Sequence, residues 1–63
     1  MEVNKKLRKY LEDNGIKQSF LEEKTGLSHD KISKILNCKR RISIEEIISI
    51  STVLKVDVNI FLN

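Results

Sequence analysis

Sixty-three residues, 40% apolar and 33% charged with a net charge of +3, describe one small globular domain rather than a disordered tail. Such a chain buries only about 60% of its unfolded surface, and its one cysteine, Cys38, excludes an internal disulfide, so the core or a second copy must hold the fold. No apolar run approaches the roughly 20 residues of a membrane span and no signal-peptide apolar region opens the chain, so a soluble protein of the reducing cytoplasm is expected.

Val3, Leu7, Tyr10 and Leu11 recur at helical spacing, and Gly15 is placed to stop this first helix shortly after Asn14. A second helix, Gln18 to Thr25, carries Leu21 and Thr25 four apart and ends at Gly26. Ser28 is a good N-cap for a third helix from about His29 to Asn37, whose inner face is Ile32, Ile35 and Leu36. A loop from Cys38 to Ile42 follows. Ser43 and Glu46 then read as a capping box for a fourth helix, about Ile44 to Leu54. Its expected buried face is Ile44, Ile47, Ile48, Ser51 and Leu54, with Ile50 and Val53 beside them. The isoleucines and valines of 42–61 would also suit strands, but helical spacing and the capping box outvote β-propensity. Asp57 is placed to cap a short last helix carrying Val58, Phe61 and Leu62. The fold class is therefore all-α, one domain over residues 1–63.

The third helix carries the chemistry. From His29 to Arg41 five positive charges stand beside one negative, and His29, Asp30, Ser33, Lys34 and Asn37 form a single stripe opposite the apolar face. Residues 16–41 hold seven basic and three acidic groups, +4, whereas residues 1–15 carry +1 and residues 42–63 carry −2. Positive charge concentrated in the middle favours a polyanion partner. Two short helices joined by a turn containing Gly26, inside an all-helical domain, make a helix-turn-helix over about 17–37, with Leu21, Leu27, Ile32 and Ile35 packing it together. One His, one Cys, no glycine-rich phosphate loop and no paired-carboxylate pocket argue against an enzyme, a metal site or a cofactor.

Gln18-x-x-Leu21 followed by Gly26-Leu27-Ser28, Ile32 and Ile35, then Lys39, Ser43, Ile44, Ile47, Leu54, Val56 and Phe61, resembles the phage-repressor-like and Cro-like helix-turn-helix proteins, the XRE family. The resemblance runs from about Leu7 to Phe61. It implies a compact five-helix bundle of the phage repressor DNA-binding type, a sequence-specific regulator, usually a repressor, that binds a double-stranded operator as a two-fold dimer. Carried over by position, it makes His29, Asp30, Ser33 and Lys34 contacts to base edges. It makes Gln18, Ser28, Lys31, Asn37, Lys39, Arg40 and Arg41 contacts to phosphates, with Gln18 alternatively bracing the first reader. The chemistry agrees: Lys34 can donate to guanine O6 and N7, Asp30 can accept from cytosine N4, and the loop cations would displace counterions.

Four positions depart from the family pattern. Leu11 and Leu36 replace a common Arg–Glu pair and are expected to meet as an apolar contact, an exchange that is often neutral or stabilising. Glu22 stands where Ala is usual, so either its carboxylate snorkels outward or the motif serves a different partner. Cys38 replaces the usual Gly after the third helix and must distort the turn or accept positive φ. Ile60 stands at a commonly polar position, and with Val58, Phe61 and Leu62 it is expected to build a homodimer interface. The alternative function is a protein-interaction module that binds another regulator or a toxin and touches DNA weakly or not at all. Sequence-indifferent nucleic-acid binding would need little beyond the charge.

Overall fold

Five helices form where the spacing places them, and the computed structural model describes residues 2–63. They are α1 (Glu2–Asp13), α2 (Gln18–Thr25), α3 (His29–Leu36), α4 (Ile44–Leu54) and α5 (Asn59–Leu62), with no strand among the described residues. α1 packs on α3 and α5, and α2 packs on α3 and α4. One core results, made of Leu7, Leu11, Leu21, Ile32, Ile35, Ile47, Ile50 and Phe61. Against it lie the half-buried Val3, Tyr10, Leu27, Leu36, Val53 and Leu54. Tyr10 meets Phe61 edge-on, with ring centroids 5.7 Å apart.

The helix ends follow local chemistry. Gly26 takes φ +76° after α2 and its N–H donates to the Glu22 carbonyl, a left-handed cap that costs glycine nothing sterically. Ser28 Oγ accepts from the Lys31 N–H at the start of α3. The capping box is present in both directions: Ser43 Oγ accepts from the Glu46 N–H, and Glu46 Oε1 accepts from the Ser43 N–H at 2.8 Å. The residue at the cap position of α5 is Val58 rather than the expected Asp57, although Asp57 Oδ1, one residue earlier, accepts from the Asn59 N–H.

Three further expectations need correction. α3 ends at Leu36, one residue early, because Asn37 leaves the helix and its side chain turns back to donate to the Ser33 carbonyl at 2.8 Å. α4 buries Ile47, Ile50 and Ser51, while Ile44 and Ile48 are 55% and 48% exposed. Its inner stripe is rotated toward Ile50 and Val53, since the isoleucines cover a face wider than the core can bury and Ile44 and Ile48 fall at its edge, beside the polar stripe of Glu45, Ser49 and Thr52. Phe61 is only 1% exposed and belongs to the core, so it cannot serve as an interface contact.

The structure resolves the departures at Cys38, Leu11 and Leu36. Cys38 adopts φ +57°, so the turn after α3 keeps its left-handed residue without glycine. Lys39 N–H still reaches the Lys34 carbonyl at 2.8 Å across that turn. Leu11 and Leu36 line one shallow depression with Arg8, Ile16 and Gln18, on a shared surface.

Candidate nucleic-acid interface

The outer face of α3 follows from its inner one. Ile32 and Ile35, each 1% exposed, fix the helix against the core, so His29, Asp30 and Lys34 are driven to the outside and are all exposed. Ser33 is half-buried between them. Lys34 Nζ lies 3.2 Å from Asp30 Oδ2, one helical turn back. At the trailing end Asn37 spends its amide on Ser33, on both the carbonyl and, at 3.4 Å, the hydroxyl. At the leading end Ser28 is exposed and occupied as the N-cap.

Gln18 and Glu22 come from α2 to meet His29. Glu22 Oε2 is 3.0 Å from Gln18 Nε2 and 2.8 Å from His29 Nδ1. Gln18 Nε2 also donates to the His29 carbonyl at 3.3 Å. Glu22 is thus neither buried against its neighbour helix nor free in solvent. Its side chain is a quarter exposed and joins two candidate DNA contacts.

The loop after α3 is anchored from two sides. Asn4, 1% exposed, donates from Nδ2 to the Ile35 carbonyl at 2.8 Å and to the Arg40 carbonyl at 2.9 Å. Arg40 Nη1 donates to both oxygens of Glu46, at 3.0 and 3.3 Å, and Lys31 Nζ approaches the same carboxylate at 4.0 Å. Burial acts to raise the Glu46 carboxyl. The Arg40 hydrogen bond, the Ser43 amide and the Arg40 charge outweigh it and hold the group below its ordinary 4.5. Lys39 and Arg41 are exposed and form no ion pair among the described residues, so their charge is fully presented.

The candidate contacts therefore differ in what they must give up. The side chains of Lys39 and Arg41 and the Nε2 edge of His29 carry no internal hydrogen bond or ion pair among the described residues. Lys34 must share Asp30, and Arg40 and Lys31 must share Glu46. Across this surface, an N-capped helix presents its polar side beside a cationic loop, behind a left-handed turn from the preceding helix. A family model described as the Cro/C1-type HTH DNA-binding domain matches residues 6–59. The chain belongs to that family. The match spans α1 from its second turn, the whole helix-turn-helix, the cationic loop and α4. No curated protein and no solved structure is measurably similar to it.

As a Cro/C1-type domain the chain is a DNA-binding regulator built on a helix-turn-helix. No helix of the described residues is long and apolar enough to cross a membrane, and among them no three metal-ligating side chains gather. Two residues that anchor the loop after α3 escaped the sequence reading. Asn4 is one, although a signal existed: it is a polar residue in helical phase with Leu7 and Leu11. Glu46 is the other, visible as half of a capping box but not as the partner of Arg40, six residues away across a loop.

Proposed function

We propose that this single domain, residues 1–63, is a sequence-specific cytoplasmic repressor that lays α3 in the major groove. His29, Asp30, Ser33 and Lys34 read base edges, and Gln18, Ser28, Lys31, Asn37, Lys39, Arg40 and Arg41 hold the backbone. One observation carries the reading. The polar edge of α3 is exposed while Ile32 and Ile35 anchor it, and Lys39 and Arg41 stand beside it with their charge unpaired. A rigid helix with a cationic flank is what groove entry and counterion release require. Ile60 and Leu62, 45% and 43% exposed, with half-buried Val58, supply apolar surface for a two-fold dimer through α5. Two recognition helices would then read half-sites about 34 Å apart.

Selection from a random duplex pool by the folded protein tests this. A two-fold symmetric motif should emerge. Lys34→Ala should cost about 1–3 kcal/mol and relax preference at one base position, whereas Lys39→Ala should weaken every duplex alike and lower the salt slope by about one. A folded chain that enriches no duplex hands the case to the second reading, a protein-interaction module for another regulator or a toxin. That reading draws on an open depression of about 630 Å³ lined by Ile16, Phe20, Val53 and Leu54, with Phe20 40% exposed. It shares no residue with α3 or its loop.

A further inference from the structure

We infer that Glu22 is a positioning residue that sets what His29 reads: by accepting a hydrogen bond from Nδ1–H it holds the neutral ring in the form whose Nε2 is a bare acceptor, so His29 selects a base carrying an amino group. The inference rests on His29 being a base contact, as proposed above. It adds which atom makes the contact and which residue decides it.

The hydrogen positions follow from counting donors. A carboxylate accepts hydrogen bonds and donates none, so the 2.8 Å contact of Glu22 Oε2 with His29 Nδ1 needs the proton on Nδ1. Gln18 Nε2 lies 3.2 Å from the same ring nitrogen and does not compete. Its two hydrogens go to Glu22 Oε2 at 3.0 Å and to the His29 carbonyl at 3.3 Å, and the carboxylate acceptor demands that orientation of the amide. Glu22 can hold the ring because its own side chain is three-quarters buried and tied to Gln18, while the His29 side chain is 77% exposed. A neutral imidazole with hydrogen on Nδ1 has only a lone pair at Nε2. No described residue uses that lone pair.

In the major groove an acceptor meets the amino group of adenine N6 or cytosine N4, while guanine and thymine oppose it with O6 and O4. Asp30, next on the helix, is also an acceptor. The leading edge of α3 therefore asks for amino-bearing bases, and Lys34 one turn later asks for guanine. Glu22 explains its own presence at a position where the resemblance expects alanine: it touches no base and acts through the ring.

His29 is the only histidine in the chain, so its ring nitrogens can be read without assignment ambiguity. Nitrogen-15 spectra of the full protein at about pH 8.5, above the range where imidazoles ordinarily titrate, should show hydrogen on Nδ1 and a bare Nε2. Glu22→Ala should shift hydrogen to Nε2. Glu22→Gln, whose Oε1 can still accept from Nδ1, should keep it on Nδ1. On DNA, discrimination against guanine at the base facing His29 should fall about fivefold in Glu22→Ala, the low end for one base contact, and persist in Glu22→Gln. Hydrogen on Nε2 in the unaltered protein overturns the inference. So does a Glu22→Ala protein that binds every duplex more tightly with its preferences unchanged, since Glu22 would then be only a repelling charge. A folded protein that selects no duplex defeats the DNA reading and the base assignment with it. The ring spectra still decide, in that sample, whether Glu22 positions His29.

Discussion

The two ends of α3 are held in opposite ways. At the leading end, Gln18, Glu22 and His29 form an open polar chain, with the histidine largely in solvent. At the trailing end, the loop is pinned by the buried amide of Asn4 and by a carboxylate, Glu46, whose side chain is only 12% exposed. Hydrogen bonds in solvent exchange with water at small net gain, whereas buried ones leave a stranded partner when cut. The trailing end should therefore govern stability and the leading end should govern recognition.

Asn4 offers the largest test of that division. Asn4→Leu keeps the branched shape of the side chain, with bulkier methyl groups in place of the amide, but withdraws both hydrogens, leaving the Arg40 carbonyl without its donor and the Ile35 carbonyl with only backbone N–H partners. The expected loss is about 1–3 kcal/mol of unfolding free energy, read by urea denaturation. Losing the pin should also loosen Lys39 and Arg41 and weaken binding to all duplexes. A change below about 0.5 kcal/mol would show that the loop holds itself.

Glu46 comes next. Glu46→Gln keeps an acceptor for the Ser43 N–H but surrenders the charge that holds Arg40. A loss of about 1–2 kcal/mol near neutral pH is expected from a charge-assisted contact at a helix start. Because the folded-state carboxyl lies below its ordinary 4.5, its contribution is present above that pH and disappears as pH falls through the lower folded value. The stability gap between the two proteins should accordingly close on acidification below about pH 4.5 and stay constant above it. A gap that persists at low pH would assign the role to shape rather than charge.

How much of this was legible in the sequence depended on range. Caps, stops and the α3 facing are set within a few residues, and Gly26, Ser28, Ser43 with Glu46, and Ile32 with Ile35 all announced themselves. The facing of α4 was legible only in part: Glu45, Ser49 and Thr52 mark a polar stripe, but Ile44 and Ile48 beside it are as apolar as the buried Ile47 and Ile50, so periodicity does not say which isoleucines turn inward. Contacts between distant residues were also hidden. Nothing in the spelling of Asn4 points to Arg40, 36 positions away. Glu22 read as a misfit because only the fold shows that its carboxylate finds His29 rather than the core. Phe61 looked like interface surface for a related reason: a short terminal helix does not reveal which apolar residue folds back onto Tyr10.

The smallest effect sharpens the contrast most, since it asks for near silence. Asp30 in the first turn of α3 and Lys34 in its last lie on the exposed face, 78% and 54% exposed, and their 3.2 Å pair is a solvent-screened i,i+4 contact. Such pairs contribute about 0.3–0.5 kcal/mol, less in salt. Asp30→Asn should thus move the urea midpoint barely at all. Lys34 would be released toward DNA, while the acceptor at position 30 keeps only its amide oxygen. If recognition and stability are divided between the two ends as argued, Asp30→Asn changes which duplexes are selected while leaving the unfolding curve within error. A stability loss comparable to that of Glu46→Gln would mean that the leading end is also structural, and that its exposed charges are there to hold the helix rather than to read.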